Sequence, residues 1–421
     1  MRLLHTSDWH IGRQFHNVSL LDDQQHVLDQ LLGYIETEAV DALVIAGDIY
    51  DRSVPPAAAV ALLDRVLNRV CAELNVPVIL IPGNHDGAER LRFGARQLQR
   101  AGLHIIGDFE QMLTPVILSD SDSGDENEGK GEVHLYGIPY NDPAMVRDHF
   151  DADVSSHDDA HRLLLEKLTE QVDHHLQQND SKAIANVVIS HCFIDGAQES
   201  ESERPLSIGG ADRVSYQHFE PFDYVALGHL HSPQYKGKEH IRYSGSILKY
   251  SFGEQHQRKG VTLVDIDSSG LQSTRHLPLT PLRDMRIVEG DLEALLQQGK
   301  LDPNSDDYLL VRLTDRHAIL DPMGKLRTVY PNVLHLEKPG MLEAGDPQLK
   351  REQLKRSELE MFRDFFTQVS GHDLTAEQDQ ALIQTLTELH RADAPADQLA
   401  PTTLPTSASS ATSTNRPEVD A

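Results

Sequence analysis

"ALVIAGDIYD", residues 42–51, holds a strand and its functional end in one short stretch. The near-continuous apolar run 42–46 is what a strand covered on both faces requires, rather than one alternating between core and water. Gly47 permits a tight turn directly after it, and Asp48 puts a carboxylate where the strand stops. The same layout recurs on either side. "RLLHTS" (2–7) reads as a strand leading into Asp8 and His10, and "PVILIPGNHD" (77–86) as a strand leading through Gly83 to Asn84 and His85. An amphipathic helix over 22–40 and a proline-opened helix over 55–74 separate these strands. Alternating strands and helices predict an α/β core whose strands end in functional loops. After a helix around 159–178, apolar strands return at 183–190, 223–228, 241–246 and 260–267.

Those later strands end in the same kind of residue. "VISH" stops at His191, and "VALGHLHSPQY" (225–235) carries His229 and His231 just past Leu227, on a loop beyond the apolar run. Five strand ends thus deliver oxygen and nitrogen donors toward one edge, where open α/β sheets collect ligands. Taken singly, each group has a structural role to hand: Asp8 caps a helix, Asp48 a turn, and Asn84 is a turn residue. Taken together, D-x-H, GD-x-x-D, GNHD, H and GH-x-H suit a pair of divalent cations. A carboxylate such as Asp48 can bridge two metals, and imidazole with amide oxygen completes sites for Mn, Fe or Zn rather than Ca. A cation pair about 3.5–4 Å apart can hold a phosphoryl oxygen and stabilise both attacking and leaving oxygens. His85, beside Asn84, can face a substrate and serve as proton donor to a leaving oxygen.

In this order the motifs resemble the calcineurin-like metallophosphoesterase superfamily, over about residues 1–270. Within it, "LHTSDWHIGR" (4–13), "GDIYDRSVPP" (47–56), "IPGNHD" (81–86), "GHLHSPQ" (228–234) and "YSGSILKYSFGE" (243–254) are similar to the bacterial SbcD nuclease subunits. The resemblance implies a β-sandwich flanked by helices, with a small α+β cap domain and C-terminal helices. It implies one manganese held by Asp8, His10, Asp48 and His231, and a second by Asp48, Asn84, His191 and His229. His85 would be the catalytic histidine outside both metal shells. The implied activity is Mn-dependent 3′→5′ exonuclease action on double-stranded DNA plus endonuclease cutting of hairpins and ends, in DNA repair, replication and recombination. The implied partner is the SbcC ATPase, in a heterotetramer built on a dimer of this subunit. Asp51 stands where some archaeal and eukaryotic relatives place a substrate-orienting histidine, and Lys249 is a candidate phosphate contact or an exposed lysine.

Length and charge set the remaining bounds. At 421 residues several units are expected: a nuclease domain over 1–275 with an acidic insert at 119–132, a cap over 282–337, a helical partner-binding region over 348–391, and a disordered tail over 393–421. The formal charge of −28 argues against protein-wide attraction to nucleic acid, so phosphate-neutralising side chains are expected from a partner. Two cysteines, Cys71 and Cys192, exclude a disulfide framework or a cysteine-rich zinc site. No apolar run reaches the length of a membrane span and the start lacks the layout of a signal peptide, so a cytoplasmic protein, nucleoid-associated when on DNA, is expected. Two other readings stay open. A phosphoprotein or nucleotide phosphatase could share this fold, since "GDIYDR" matches GD-x-x-DR, although Asp86 stands where those enzymes carry Glu. A metal-free scaffold predicts eroded ligands, whereas all seven candidate ligands and His85 are present.

Overall fold

The computed structural model describes residues 1–119, 131–178, 183–203, 212–315, 317, 319–338 and 358–392. Residues 120–130 of the acidic insert, the chain between 339 and 357, and the tail from 393 lie outside the described residues. The chain divides into two units, Met1–Thr314 with Asp321–Pro339, and Asp315–Leu320 with Gly340–Ala421.

Two six-stranded sheets form the body of the first unit. Their strands are β1 (Arg2–Thr6), β2 (Ala42–Ala46), β3 (Val78–Ile81), β4 (Leu103–Ile105), β5 (Val116–Ser119), β6 (Glu132–Ile138), β7 (Ile184–His191), β8 (Tyr224–Gly228), β9 (Gln234–Lys236), β10 (Lys238–Tyr243), β11 (Gly260–Asp267) and β12 (Gly270–Pro278). One sheet runs β12-β11-β1-β2-β3-β4 and the other β9-β10-β8-β7-β6-β5. Neighbours from β1 to β4 are parallel, as are β6, β7, β8 and β10, so the loops bearing the candidate residues leave the same end of each sheet.

The continuous apolar runs are explained by what covers the strands. Val44, Ile79 and Ile81 of the first sheet meet Leu135, Val187 and Ile189 of the second in a shared core. Their neighbours Leu43, Ile45 and Leu80 point outward, against Val27 and Leu31 of α1 (Leu21–Thr37) and Leu62 and Val66 of α2 (Ala57–Asn68). On the second sheet, Tyr136, Val188 and Val225 pack with Leu164 and Leu168 of α3 (His157–Gln178). Each fully buried large side chain contributes roughly 1.5–3 kcal/mol over its exposed state. The result is the expected sandwich flanked by helices. Most strands fall within a residue of their expected spans, and one is shifted further. Lys238–Tyr243 begins three residues early and stops before "SGS", because Ser244 and Ser246 turn their hydroxyls onto the His5 and Leu248 carbonyls instead of continuing a ladder.

A three-stranded parallel sheet, β13 (Met285–Gly290), β14 (Tyr308–Leu313) and β15 (Val333–Glu337), follows with helices α4 (Leu292–Gly299) and α5 (Pro322–Arg327) between its strands. It is tied to α1 by Asp23, which is buried and accepts from Arg283 (3.0 Å) and the Tyr308 hydroxyl (2.9 Å). The second unit holds α6 (Glu358–Ser370) and α7 (Ala376–Ala392). Arg363 grips Asp379 with two 2.6 Å bonds, and Gly371 at φ +77° ends α6. Thr375 and Gln378 cap α7 reciprocally, each side chain accepting from the other's backbone N–H.

Candidate metal centre

The loop after β1 continues as an extra rung beside the loop after β2. Asp8, His10 and Ile11 donate backbone N–H groups to the carbonyls of Gly47, Asp48 and Ile49 at 2.9–3.1 Å. Trp9 is wholly buried and its indole donates to Thr6 Oγ1, so Asp8 and His10 are left facing the other way, into the site. Gln24 of α1 fastens this loop from behind: its amide donates to the Trp9 and His10 carbonyls and its oxygen accepts from Gly12 N–H. Asp86, the last residue of GNHD, accepts from the backbone N–H groups of Ile49, Tyr50 and Gly83 and so clamps the β2 and β3 loops together. Burial, and then Asp48, push the Asp86 carboxyl up to about 7.

Second-sheet residues reach the first sheet directly. Gly228 and His191 are register partners at the ends of β8 and β7. A Cβ on Gly228 would lie 1.8 Å from the Ala46 carbonyl oxygen, and one on Gly47, itself at φ +87°, would lie 2.4 Å from His191 Nδ1. Gly228→Ala should therefore force the sheet ends apart. The expected cost is about 1–3 kcal/mol or more, read as a fall in melting temperature together with weaker metal binding. An unchanged melting temperature would contradict this packing. Asp8, His10, Asp48 and His229 all hold left-handed backbone, at φ 53°, 44°, 51° and 105°. Strain of order 1–3 kcal/mol per residue persists only where surrounding structure enforces it, and such residues cluster at functional sites.

The six charged or imidazole ligand candidates are buried to within 4% of full exclusion from water. Donor atoms of Asp8, His10 and His231 lie within 4.8 Å of one another, as do those of Asp8, Asp48 and His191. Asp48 Oδ2 stands midway, 3.6 Å from both His10 Nε2 and His191 Nε2. The His229 ring packs at 5.4 Å from the His191 ring, and its backbone N–H binds both oxygens of Asp8. Asn84 Oδ1 lies 3.0 Å from His191 Nε2. His85 is more open, its side chain 12% exposed; its N–H anchors Asp48 Oδ1 (2.9 Å) and its Nδ1 donates to the Asp51 carbonyl (3.0 Å). Asp51 joins His10 and His85 in a third group of donors, and is also paired with Arg13. Lys249 is engaged elsewhere, with Asp284 and the Gln255 carbonyl both at 2.7 Å.

The donors fit cations on their own chemistry. Burial lowers the pKa of His191 against the pull of Asp48 and the Ala46 bond, so the ring is neutral. Its Nδ1–H is used on the Ala46 carbonyl (2.9 Å), which leaves an Nε2 lone pair facing the Asn84 oxygen. Two acceptors 3.0 Å apart repel unless a cation lies against both. The Nε2 atoms of His10 and His231 also face each other, at 3.1 Å. Ligand atoms about 2.1 Å from one shared cation stand roughly 3.0–3.4 Å apart at right-angled to tetrahedral geometry. Burial, and then Asp48, also raise the Asp8 carboxyl well above its ordinary range, while burial lowers His10 and His229. A dry pocket of buried imidazoles and mutually repelling carboxylates is what bound divalent cations would relieve.

Sequence reasoning did not single out Gln24, Ser202, Glu203, Glu254 or Lys259 as part of this site. Glu254 ends "YSFGE", but nothing in its spacing points to a histidine 23 positions earlier.

Residues 1–233 match the model of the calcineurin-like phosphoesterase family, and residues 281–370 that of the type 5 capsule protein repressor C-terminal domain. The SbcD component of the nuclease SbcCD from Staphylococcus epidermidis is 37% identical over 337 residues, covering 80% of this chain and 85% of that one. Among solved structures, GAP50, the anchor in the inner membrane complex of Plasmodium, overlaps 66% of this chain and 89% of its own at 14% identity and a TM-score of 0.37. A dimetal phosphatase from Danio rerio overlaps 66% and 98% at 13% identity and a TM-score of 0.34. Two domain matches in that order, and a relationship along four-fifths of its length, make this chain a member of the calcineurin-like phosphoesterase family on the branch of the SbcD nuclease subunits, metal-dependent phosphodiesterases.

Proposed function

We propose that this chain is the nuclease subunit of an SbcCD-type complex, cutting phosphodiester bonds of DNA as a 3′→5′ double-strand exonuclease and an endonuclease at hairpins and ends. The observation that carries the reading is Asp48 Oδ2, equidistant from His10 Nε2 and His191 Nε2 between two pairs of facing ligand atoms. Asp8, His10, Asp48 and His231 would hold one Mn²⁺, and Asp48, Asn84, His191 and His229 the other. Bound there, the cations would supply charge neutralisation on the phosphate and a water acidified enough to attack it. The chain's own part is positional. Gln24 and Asp86 fix the loops that present the donors, the two sheets exclude bulk water, and His85 holds Nε2 free to carry a proton to the leaving oxygen. The net charge of −28 supports a partner that brings basic surface to the duplex. The proposed assembly therefore includes an SbcC ATPase, two copies of each subunit, a homodimer of this one, a cap over β13–β15, and the helices within 348–391 as the partner-binding region of a cytoplasmic protein. Among the described residues no helix is long and apolar enough to cross a membrane.

A nuclease assay on blunt and hairpin duplexes tests the reading, run with and without Mn²⁺ and the ATPase, beside a phosphopeptide control. Mn-dependent cutting of both duplexes is expected, with the ATPase effect lost when the chain is cut at 340. Turnover of the phosphopeptide alone would favour the phosphatase.

A further inference from the structure

His231 differs from the other candidate ligands in how completely it is held. Its backbone N–H donates to Glu203 Oε1 (2.7 Å), and its carbonyl accepts from Lys259 Nζ (2.7 Å) and Ser246 N–H (3.1 Å). Its Nδ1 meets Ser202 Oγ at 2.7 Å and Glu254 Oε1 at 3.4 Å. Glu254 is wholly buried, forms an ion pair with the 5%-exposed Lys259 (2.5 Å) and also accepts from the Ser202 hydroxyl. By contrast, His10 Nδ1 has no hydrogen-bond partner among the described residues.

These contacts decide where the His231 proton sits. A carboxylate only accepts, and the Ser202 proton is spent on Glu254, so Ser202 can only accept from the ring. Both neighbours of Nδ1 therefore demand Nδ1–H, and Nε2 must be the bare atom. Nε2 is the atom facing His10 across 3.1 Å. A buried ion pair is weak evidence of a stability role, since an apolar pair of similar volume often does as well or better. Its placement behind one ring needs another reason.

We propose that Glu254, held in place by Lys259, is a positioning residue that fixes the Nδ1–H tautomer of His231 and so presents Nε2 to a metal shared with His10. The inference rests on the metal-centre reading above. Orienters of this kind typically change metal affinity 10–100-fold. Lys259 has a second task, because the same ammonium that holds Glu254 also fixes the carbonyl of His231. Ring and main chain are then set by one cation.

The test uses the full chain. Side-chain ¹⁵N spectra of the metal-free wild type, with the His231 signal assigned by its absence in His231→Gln, should show the proton on Nδ1. In Glu254→Leu/Lys259→Met the two-tautomer mixture should appear. Calorimetric titration with Mn²⁺ should then show one of two equivalents weakened about 10–100-fold. Glu254→Gln, which keeps an acceptor oxygen, should recover most of that loss. A purely structural pair would lower the melting temperature of the double variant without moving the tautomer or one equivalent selectively. A wild-type proton on Nε2 would overturn the inference even if the double variant failed to fold, as would wild-type affinity for both equivalents in a folded one. Failure of the wild type to bind Mn²⁺ at all would instead overturn the metal-centre reading.

Discussion

His85→Ala should bind Mn²⁺ as the wild type does and cut DNA roughly 10²–10⁴-fold more slowly, the span typical of a positioned general acid. The reason for the split lies in which atoms His85 contributes. Its link to the bridging carboxylate is a backbone N–H to Asp48 Oδ1, which alanine retains. Its ring stands 3.9 Å from Asp48 Oδ2 and is the more solvent-open of the site's imidazoles, on the side a substrate can approach. Single-turnover cleavage beside a calorimetric Mn²⁺ titration reads both halves. If the folded variant lost a metal equivalent, His85 would belong among the ligands and its assigned role would be wrong.

Asp48→Asn is expected to remove more. Its Oδ2 lies 3.6 Å from both His10 and His191, so its charge would serve both proposed cations. Loss of stabilisation worth several kcal/mol in the transition state would slow cleavage roughly 10³-fold or more. Stability should move the opposite way. Without metal, Asp48 raises the pKa of the buried Asp8 and of Asp86 through like-charge repulsion, so neutralising it relieves strain in the empty site. In chelator the variant should melt no lower than the wild type, and added Mn²⁺ should raise the wild-type melting temperature but not the variant's. A variant that still gained from Mn²⁺ like the wild type would show that Asp48 is not the bridge.

The sequence made the donors legible because each follows a strand whose two covered faces force an unbroken apolar run. Leu43 and Ile45 face the helices while Val44 faces the second sheet, and a run of that kind announces its own end at Gly47 and Asp48. What holds the donors was less visible. Gln24 is one polar residue among several in "DDQQ", and only the path of the β1 loop makes it the one that binds two carbonyls. Glu254 and Lys259 acquire their meaning from a histidine on another strand end, a relation with no period or spacing to read. Gly228 opens "GHLH" with no role visible in the sequence; only the Ala46 carbonyl lying across from it shows why a side chain is excluded.

The donors come from both sheets, and Asp8 and His229 touch across a sequence separation of 221 residues. Each of the two proposed cation sites needs the sheets already docked. A ribosome that has released only the first part of the chain has made Asp8, His10, Asp48, Asn84 and His85, yet nothing able to cut. Any cutting activity is thus tied to completion of the fold, and a chain abandoned before residue 191 would lack a complete donor set for a geometric reason. The same feature makes the bound cations a clasp between distant parts of the polypeptide. They would slow the parting of the sheets far more than any single core contact could, so that loss of metal and loss of kinetic persistence would be one event.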